Sequence, residues 1–263
     1  MKRIFSILLC TGLLLTGCNR SEDPNTIKVG TIAGPETQLM EVAKEIAKNQ
    51  SQIDVKIVQF SDYVMPNVAL NDQSIDANVY QHQPYLDAAI AAHAYPFVSI
   101  AKTFIYPMGI YSKKIKSLKN LKEQLVIGIP NDPSNGARAL LLLQKAGLIK
   151  LKQDVGIKAT VQDIVANPKK FKITELDAAQ LPRALRDLDL AVINTTYSLP
   201  AGLLPKRDGL FIETADSPYA NIVVVRTSDK ESAKIKALVD ALHSPEVVEK
   251  AQVLFKGQAV KAW

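Results

Sequence analysis

The chain has 263 residues, 32 Lys and Arg against 26 Asp and Glu, a formal charge of +6 and a pI near 9.1. Its lysines are dispersed, and the densest group (Lys113, Lys114, Lys116, Lys119, Lys122) has no aromatic platform beside it, which excludes a nucleic-acid partner. Two cysteines near the start, Cys10 and Cys18, and three scattered histidines exclude a disulfide framework, a thiol nucleophile in the body of the chain and a His/Cys metal cluster.

Lys2 and Arg3 form a positive n-region, and Ile4 to Leu15 is an almost wholly apolar run. That run is shorter than the about 20 residues a membrane-spanning helix needs, so residues 1–17 read as a signal peptide. Leu15-Thr16-Gly17-Cys18 resembles the lipobox of bacterial lipoproteins. The resemblance implies cleavage before Cys18 and lipid on its thiol and new amino group. The predicted place is the bacterial cell envelope, lipid-anchored to a membrane on the periplasmic or extracytoplasmic face. Residues 18–26 are polar and read as a lipidated tether. Without Lys2 and Arg3 the side chains keep a charge of +4, and neither thiol is left to form a disulfide.

Ile27 to Thr31 reads as a strand, and Pro35 opens an amphipathic helix over 36–48. Asp54 to Phe60 alternates as a strand. A helix is predicted over 63–70 with Asp62 as its cap, a strand over 76–80 and a helix over 83–93. Val98 to Tyr111 is one long extended run with Pro107 inside it, suited to carrying the chain out of a first lobe. A second alternating unit follows: strand 124–129, loop and helix 132–146 with Gly147 at its end, then 161–165, 172–176 and 180–185. Leu188 to Ile193 is an apolar strand, 195–202 a turn or short helix, and 222–226 a strand. Helices over 230–242 and 245–256 end the chain. Such alternation predicts an α/β fold of two lobes, 27–105 with 222–263 and 106–221, joined by a two-stranded hinge. Ligands of such sheets bind beyond the carboxyl ends of the strands.

Asp76-Ala-Asn-Val-Tyr-Gln-His-Gln-Pro-Tyr-Leu-Asp87 places Tyr80, His82 and Tyr85 within six residues, among Asn78, Gln81 and Gln83. Rings supply contact area and amides fix orientation, so this mixture suits a pocket for a small, partly apolar ligand. The structural alternative is a strand running into a helix with Pro84 in its first turn. In Ile129-Pro-Asn-Asp-Pro-Ser-Asn-Gly-Ala-Arg138, Asp132, Ser134 or Asn135 can cap a helix whose N-terminus favours an anion. Arg138, about a turn further on, can fork onto a carboxylate. His93 and His243 read as surface or packing residues.

These blocks, with Asp62 to Leu70, Ala191-Val-Ile-Asn-Thr195 and Asp216-Ser-Pro-Tyr-Ala-Asn-Ile222 in order, resemble the methionine-binding lipoproteins of the MetQ/NlpA type over essentially the whole mature chain. The resemblance implies a two-lobed periplasmic-binding-protein fold (type II-like) that holds an amino acid between its lobes. It also implies delivery to the permease and ATPase complex of an ABC importer, with no cofactor and no metal. Tyr63, Tyr80, His82 and Tyr85 match the family's side-chain pocket, where a thioether packs on rings. Tyr80 stands where some members have Phe. Arg138 matches the carboxylate-binding arginine, and Asn194 and Asn221 match asparagines at the polar head, with the ammonium and carboxylate roles open between them. L-methionine is the expected ligand, with another amino acid or a methionine-containing dipeptide as the alternative.

An exported enzyme is the competing class. Gly-x-Ser-x-Gly, His-Glu-x-x-His and Gly-x-x-x-x-Gly-Lys are all missing from the sequence, so the chain is read as a non-enzyme. A surface-exposed, adhesin-like lipoprotein is the third possibility.

Overall fold

The computed structural model describes residues 24–214 and 217–263. Cys18, the signal peptide and Asp216 lie outside the described residues. The chain opens with β1 (Thr26–Ile32), α1 (Pro35–Ser51), β2 (Asp54–Phe60), α2 (Met65–Asn71), β3 (Ala77–His82) and α3 (Gln83–His93). β4 (Phe97–Ile105), β5 (Gly109–Tyr111), β6 (Val126–Pro130), α4 (Pro133–Lys145), β7 (Lys150–Leu151), β8 (Ile164–Ala166) and β9 (Lys172–Leu176) follow. Then come α5 (Leu181–Ala184), β10 (Leu190–Ile193), α6 (Thr195–Ser198), α7 (Pro205–Asp208), β11 (Phe211–Ile212) and β12 (Ala220–Arg226). The chain closes with α8 (Ala233–Leu242), α9 (Pro245–Leu254) and β13 (Val260–Lys261).

Two sheets form two lobes. The first has the order β13-β4-β12-β3-β1-β2 and the second β11-β5-β10-β6-β9; β7 and β8 pair as a small ribbon. β1, β2 and β3 run parallel, and β12 is antiparallel to both neighbours, β3 and β4. β3 and β10 are buried along their whole length, as is β12 up to Arg226, because helices cover both faces of each sheet. On the first sheet α1, α8 and α9 seal one face through Leu39, Met40, Ala43, Leu238 and Val247. α2 and α3 close the other through Leu70 and Leu86. On the second sheet α4 buries Ala137, Ala139, Leu140 and Leu143 against Ile127, Ile129 and Val192, while Leu181 and Leu185 pack on the opposite face.

The chain passes between the sheets at residues 106–108 and returns between β11 and β12. The long run 98–111 is therefore two strands in two sheets, divided at Tyr106-Pro107-Met108, where Pro107 lacks the N–H a ladder requires. Tyr106 belongs to the first core and Met108 to the second. Gly34 precedes α1 at φ 135° and ψ −144°, a region essentially reserved for glycine, and a Cβ there would stand 3.2 Å from Pro200 of the other lobe.

Several boundaries differ from expectation. α2 starts at Met65, not Tyr63: Asp62 Oδ1 accepts from the Val64 and Met65 amides at 2.8 and 2.9 Å and so shapes the turn ahead of the helix. α8 starts at Ala233 because Thr227–Asp229 forms a 3-10 turn first, and α9 ends at Leu254. The two-residue strands β11 and β13, each pairing with a single partner, carry no periodic signal. His243 stacks on Trp263 at 4.1 Å and His93 on Tyr95 at 5.0 Å, both as packing residues. Among the described residues no helix is long and apolar enough to cross a membrane.

Candidate functional site

Between the lobes lies a pocket, and Tyr63, Tyr80, His82, Tyr85, Arg138, Asn194 and Asn221 all line it. Its first wall is aromatic. The Tyr63 carbonyl accepts hydrogen bonds from both the Tyr80 hydroxyl (2.9 Å) and the Tyr85 hydroxyl (2.8 Å). The three rings lie 5.8 to 6.1 Å apart, and Tyr197 of the second lobe adds a fourth ring 4.8 Å from Tyr63. Because the Tyr80 hydroxyl bonds backbone, its effect is to fix the ring rather than to offer the cavity a polar group. Behind the rings Gln81 and Asn78 bond each other and Asn67 at 2.8 to 3.1 Å, a closed buried amide network. Asn78 is thus a scaffold residue, and Gln83 faces solvent on Asp87. Gln81 also lines the pocket, with Asn135, Asn194 and Asn221 from other segments.

His82 has two roles at once. Its Nδ1 accepts the Tyr85 amide at 3.3 Å and caps α3. That fixes the proton on Nε2, which donates to Asn135 Oδ1 of α4 at 3.2 Å across the cleft. Burial, and then the nearby Arg138 charge, pushes the imidazole pKa down to about 3, so the ring is neutral. Asn135 Oδ1 also accepts from Asn194 Nδ2 at 2.8 Å. The Asn194 Oδ1 is buried and has no partner among the described residues.

Asp132 is the cap of α4, accepting the Asn135 amide at 2.8 Å and its side-chain amide at 3.0 and 3.1 Å. The protein's own carboxylate thereby takes the Asn135 N–H at this helix N-terminus. Arg138 is 4% exposed. Its Nε and Nη2 edge is forked onto Glu213, with Nε to Oε1 at 3.1 Å and a shorter contact from Nη2 to Oε2. Nη2 also donates to the Tyr106 carbonyl at 3.1 Å, and the guanidinium lies 4.3 Å over the Tyr219 ring. The edge expected to hold a ligand carboxylate is therefore occupied, which leaves Nη1 for the cavity. Glu213 also accepts from the Met108 amide at 3.1 Å and the Ser217 hydroxyl at 3.2 Å. One carboxylate thus ties the arginine to both interlobe crossings.

Asn221 pairs with His82 across β12 and β3. It spends its amide hydrogens on the Tyr80 carbonyl (3.1 Å) and Glu36 Oε1 (2.9 Å), so only its oxygen is left to offer. Glu36, in the first turn of α1, also accepts from Thr196 of the second lobe at 3.2 Å, and its Oε2 is buried without a partner among the described residues. Burial outweighs the Thr196 and Asn221 hydrogen bonds and pushes its pKa up to about 8. Between about pH 6.5 and 8 the unfolded chain has lost this proton while the folded chain keeps it, so stability should fall as pH rises. His82 acts the other way below about pH 6.5, where only the unfolded ring gains a proton and stability falls with falling pH. Melting of the ligand-free protein is expected to drop from pH 6.5 to 8, and Glu36→Gln should flatten that slope. An equal slope in both proteins would remove Glu36 as its source.

The seven residues named from sequence thus meet in one place. Sequence reasoning missed Glu36, Asn135 as a bridge, Tyr197, Glu213 and Tyr219. Asn135 and Tyr219 lay inside blocks already singled out, whereas Glu36 and Glu213 had no local signal. Among the described residues no His, Cys, Asp and Glu group is arranged to hold a metal.

The family model described as NlpA lipoprotein matches residues 27–263. The D-methionine-binding lipoprotein MetQ of Salmonella typhimurium is 53% identical over 258 residues, 97% of this chain and 95% of that protein. The crystal structure of the methionine binding protein MetQ superposes with a TM-score of 0.90 at 52% identity, over 92% of this chain and 99% of that one. A nutrient binding protein from Burkholderia cenocepacia, solved bound to methionine, matches with a TM-score of 0.88 at 51% identity, over 90% of this chain and 100% of that one.

Proposed function

The chain belongs to the NlpA lipoprotein family, and from that premise we propose that it captures methionine between its lobes and delivers it to the permease and ATPase complex of an ABC importer. The observation that carries this reading is the chemistry of one cavity, whose lining combines a buried guanidinium, asparagine side chains and tyrosine rings. That is a complement to a zwitterion with a polarizable apolar side chain. The orphaned Asn194 Oδ1 is an acceptor, and Asn221 has only its oxygen to give, so both asparagines suit the ammonium. Arg138 Nη1 then takes the carboxylate. The ligand is read as bound and released unchanged, which the names of the relatives as binding proteins support.

Lobe 1 is assigned to 27–105 and 222–263, extended by Tyr106 and by Ala220 and Asn221 at the start of β12, and lobe 2 to the chain between, the two closing on the ligand by hinge motion. Cys18 would carry the lipid that holds the protein at the extracytoplasmic face of a membrane, residues 18–26 serving as the tether.

Denaturing the purified protein should release methionine, identified by mass spectrometry. The emptied protein should rebind it in calorimetric titration, and titration with both enantiomers reads out whether this chain favours L-methionine or, like its named relatives, D-methionine. A different amino acid or a dipeptide would keep the transport role and replace the ligand. A folded, empty protein that binds neither would overturn the reading.

A further inference from the structure

From residue 57 to residue 101 the chain has no Lys or Arg, although it has 32 in all, and it has four acids there, Asp62, Asp72, Asp76 and Asp87. This stretch builds α2 and α3, and its outer surface is also where apolar side chains stay uncovered. Val64, Met65 and Val68 are 60%, 46% and 36% exposed, and Ile157 across the cleft is 46% exposed. They are among the few large apolar side chains the protein leaves in water. Between them runs a groove floored by Ala88 of α3, with Val64 at one end and Ile157 at the other, and Asp132 and Pro133 contribute along its length. Two exposed carboxyls line it, on Asp87 and Glu175, against the one amine of Lys158, while the Asp132 carboxylate is spent on the α4 cap.

One side of the groove is α3 of the first lobe. The other is the start of α4 and residues 157–160 of the second. The two walls belong to different lobes, so the shape of the groove depends on how the lobes are set against each other. An apolar groove rimmed by acid, on a protein that is basic overall, complements an apolar segment flanked by Lys or Arg. We propose that this groove is the surface by which the protein docks on the membrane-embedded subunit of its importer, through a segment of that chemistry. The proposal rests on the transport reading above and adds where the partner is engaged.

The test uses the lipidated full chain in its own cells, with its gene deleted and replaced by variants, and follows uptake of radiolabelled methionine at limiting concentration. Asp87→Lys combined with Glu175→Lys reverses two exposed charges, and Ile157→Ser removes the apolar end; none of these residues lines the ligand cavity. Each purified variant should titrate methionine with unchanged affinity and melt as the parent does. Uptake should fall about tenfold in the charge-reversed variant, and a Lys/Arg→Glu suppressor in the membrane subunit should restore it. Unchanged uptake with binding retained would overturn the docking surface while leaving the transport reading intact. A parent chain that neither binds methionine nor supports uptake would overturn both.

Discussion

Arg138→Ala is expected to weaken methionine binding by about 100-fold, measured by calorimetry. The guanidinium is almost fully buried, and loss of one partner from a buried, hydrogen-bonded charge pair costs about 2–5 kcal/mol, of which about 3 corresponds to two decades of affinity. The same change strands the Glu213 carboxylate, which loses its fork and retains the Met108 amide and the Ser217 hydroxyl. Breaking a buried pair from one side costs about 3–5 kcal/mol of stability, so the variant should also melt roughly 10 °C lower. The double variant Arg138→Ala with Glu213→Ala removes both charges and should recover much of that melting loss while binding stays lost. Recovery of stability without recovery of affinity would separate the arginine's contact with ligand from its part in the fold. A single variant that binds as the parent does would place the carboxylate site elsewhere.

Asn221→Ala should have the second largest effect, a loss of about 10- to 100-fold in affinity. Its amide donates to the Tyr80 carbonyl and to Glu36, and each buried acceptor left without its donor costs about 1–3 kcal/mol. Asn221→Asp is the sharper test. It would put a second carboxyl where the amide now stands, 2.9 Å from that of Glu36, and two carboxyls at that distance share a proton. Affinity should then fall between pH 6 and pH 8 far more steeply than in the parent. A pH-independent loss would mean that Asn221 acts without Glu36.

Much of the fold was legible because its signals are local. Asp54 to Phe60 alternates and Leu190 to Ile193 is an unbroken apolar run, α1 and α4 have Pro in the first turn, and Asp132 stands where a cap belongs. Tyr80, His82 and Tyr85 fall in one short segment that turns from strand to helix, and so they had to share one end of a sheet. The failures are local in another sense. Asp62 reads as a helix cap because an Asx turn uses the same residue at nearly the same spacing. The run 98–111 reads as one strand because each side of Pro107 has the same composition, and only pairing assigns the halves to different sheets.

The sequence by itself determined the class of protein, the alternation of strands and helices, and which side chains would gather at the cleft. Only the tertiary structure decided which polar groups are already spent. Arg138 meets Glu213 from 75 residues away, and Asn221 meets Glu36 from 185. Such pairings obey no short period. They exist only once both sheets have formed and the lobes have come together, and burial there turns a first-turn glutamate into a group that keeps its proton to about pH 8. Residue type says what a side chain can donate or accept; the folded neighbourhood says what it still has left to give.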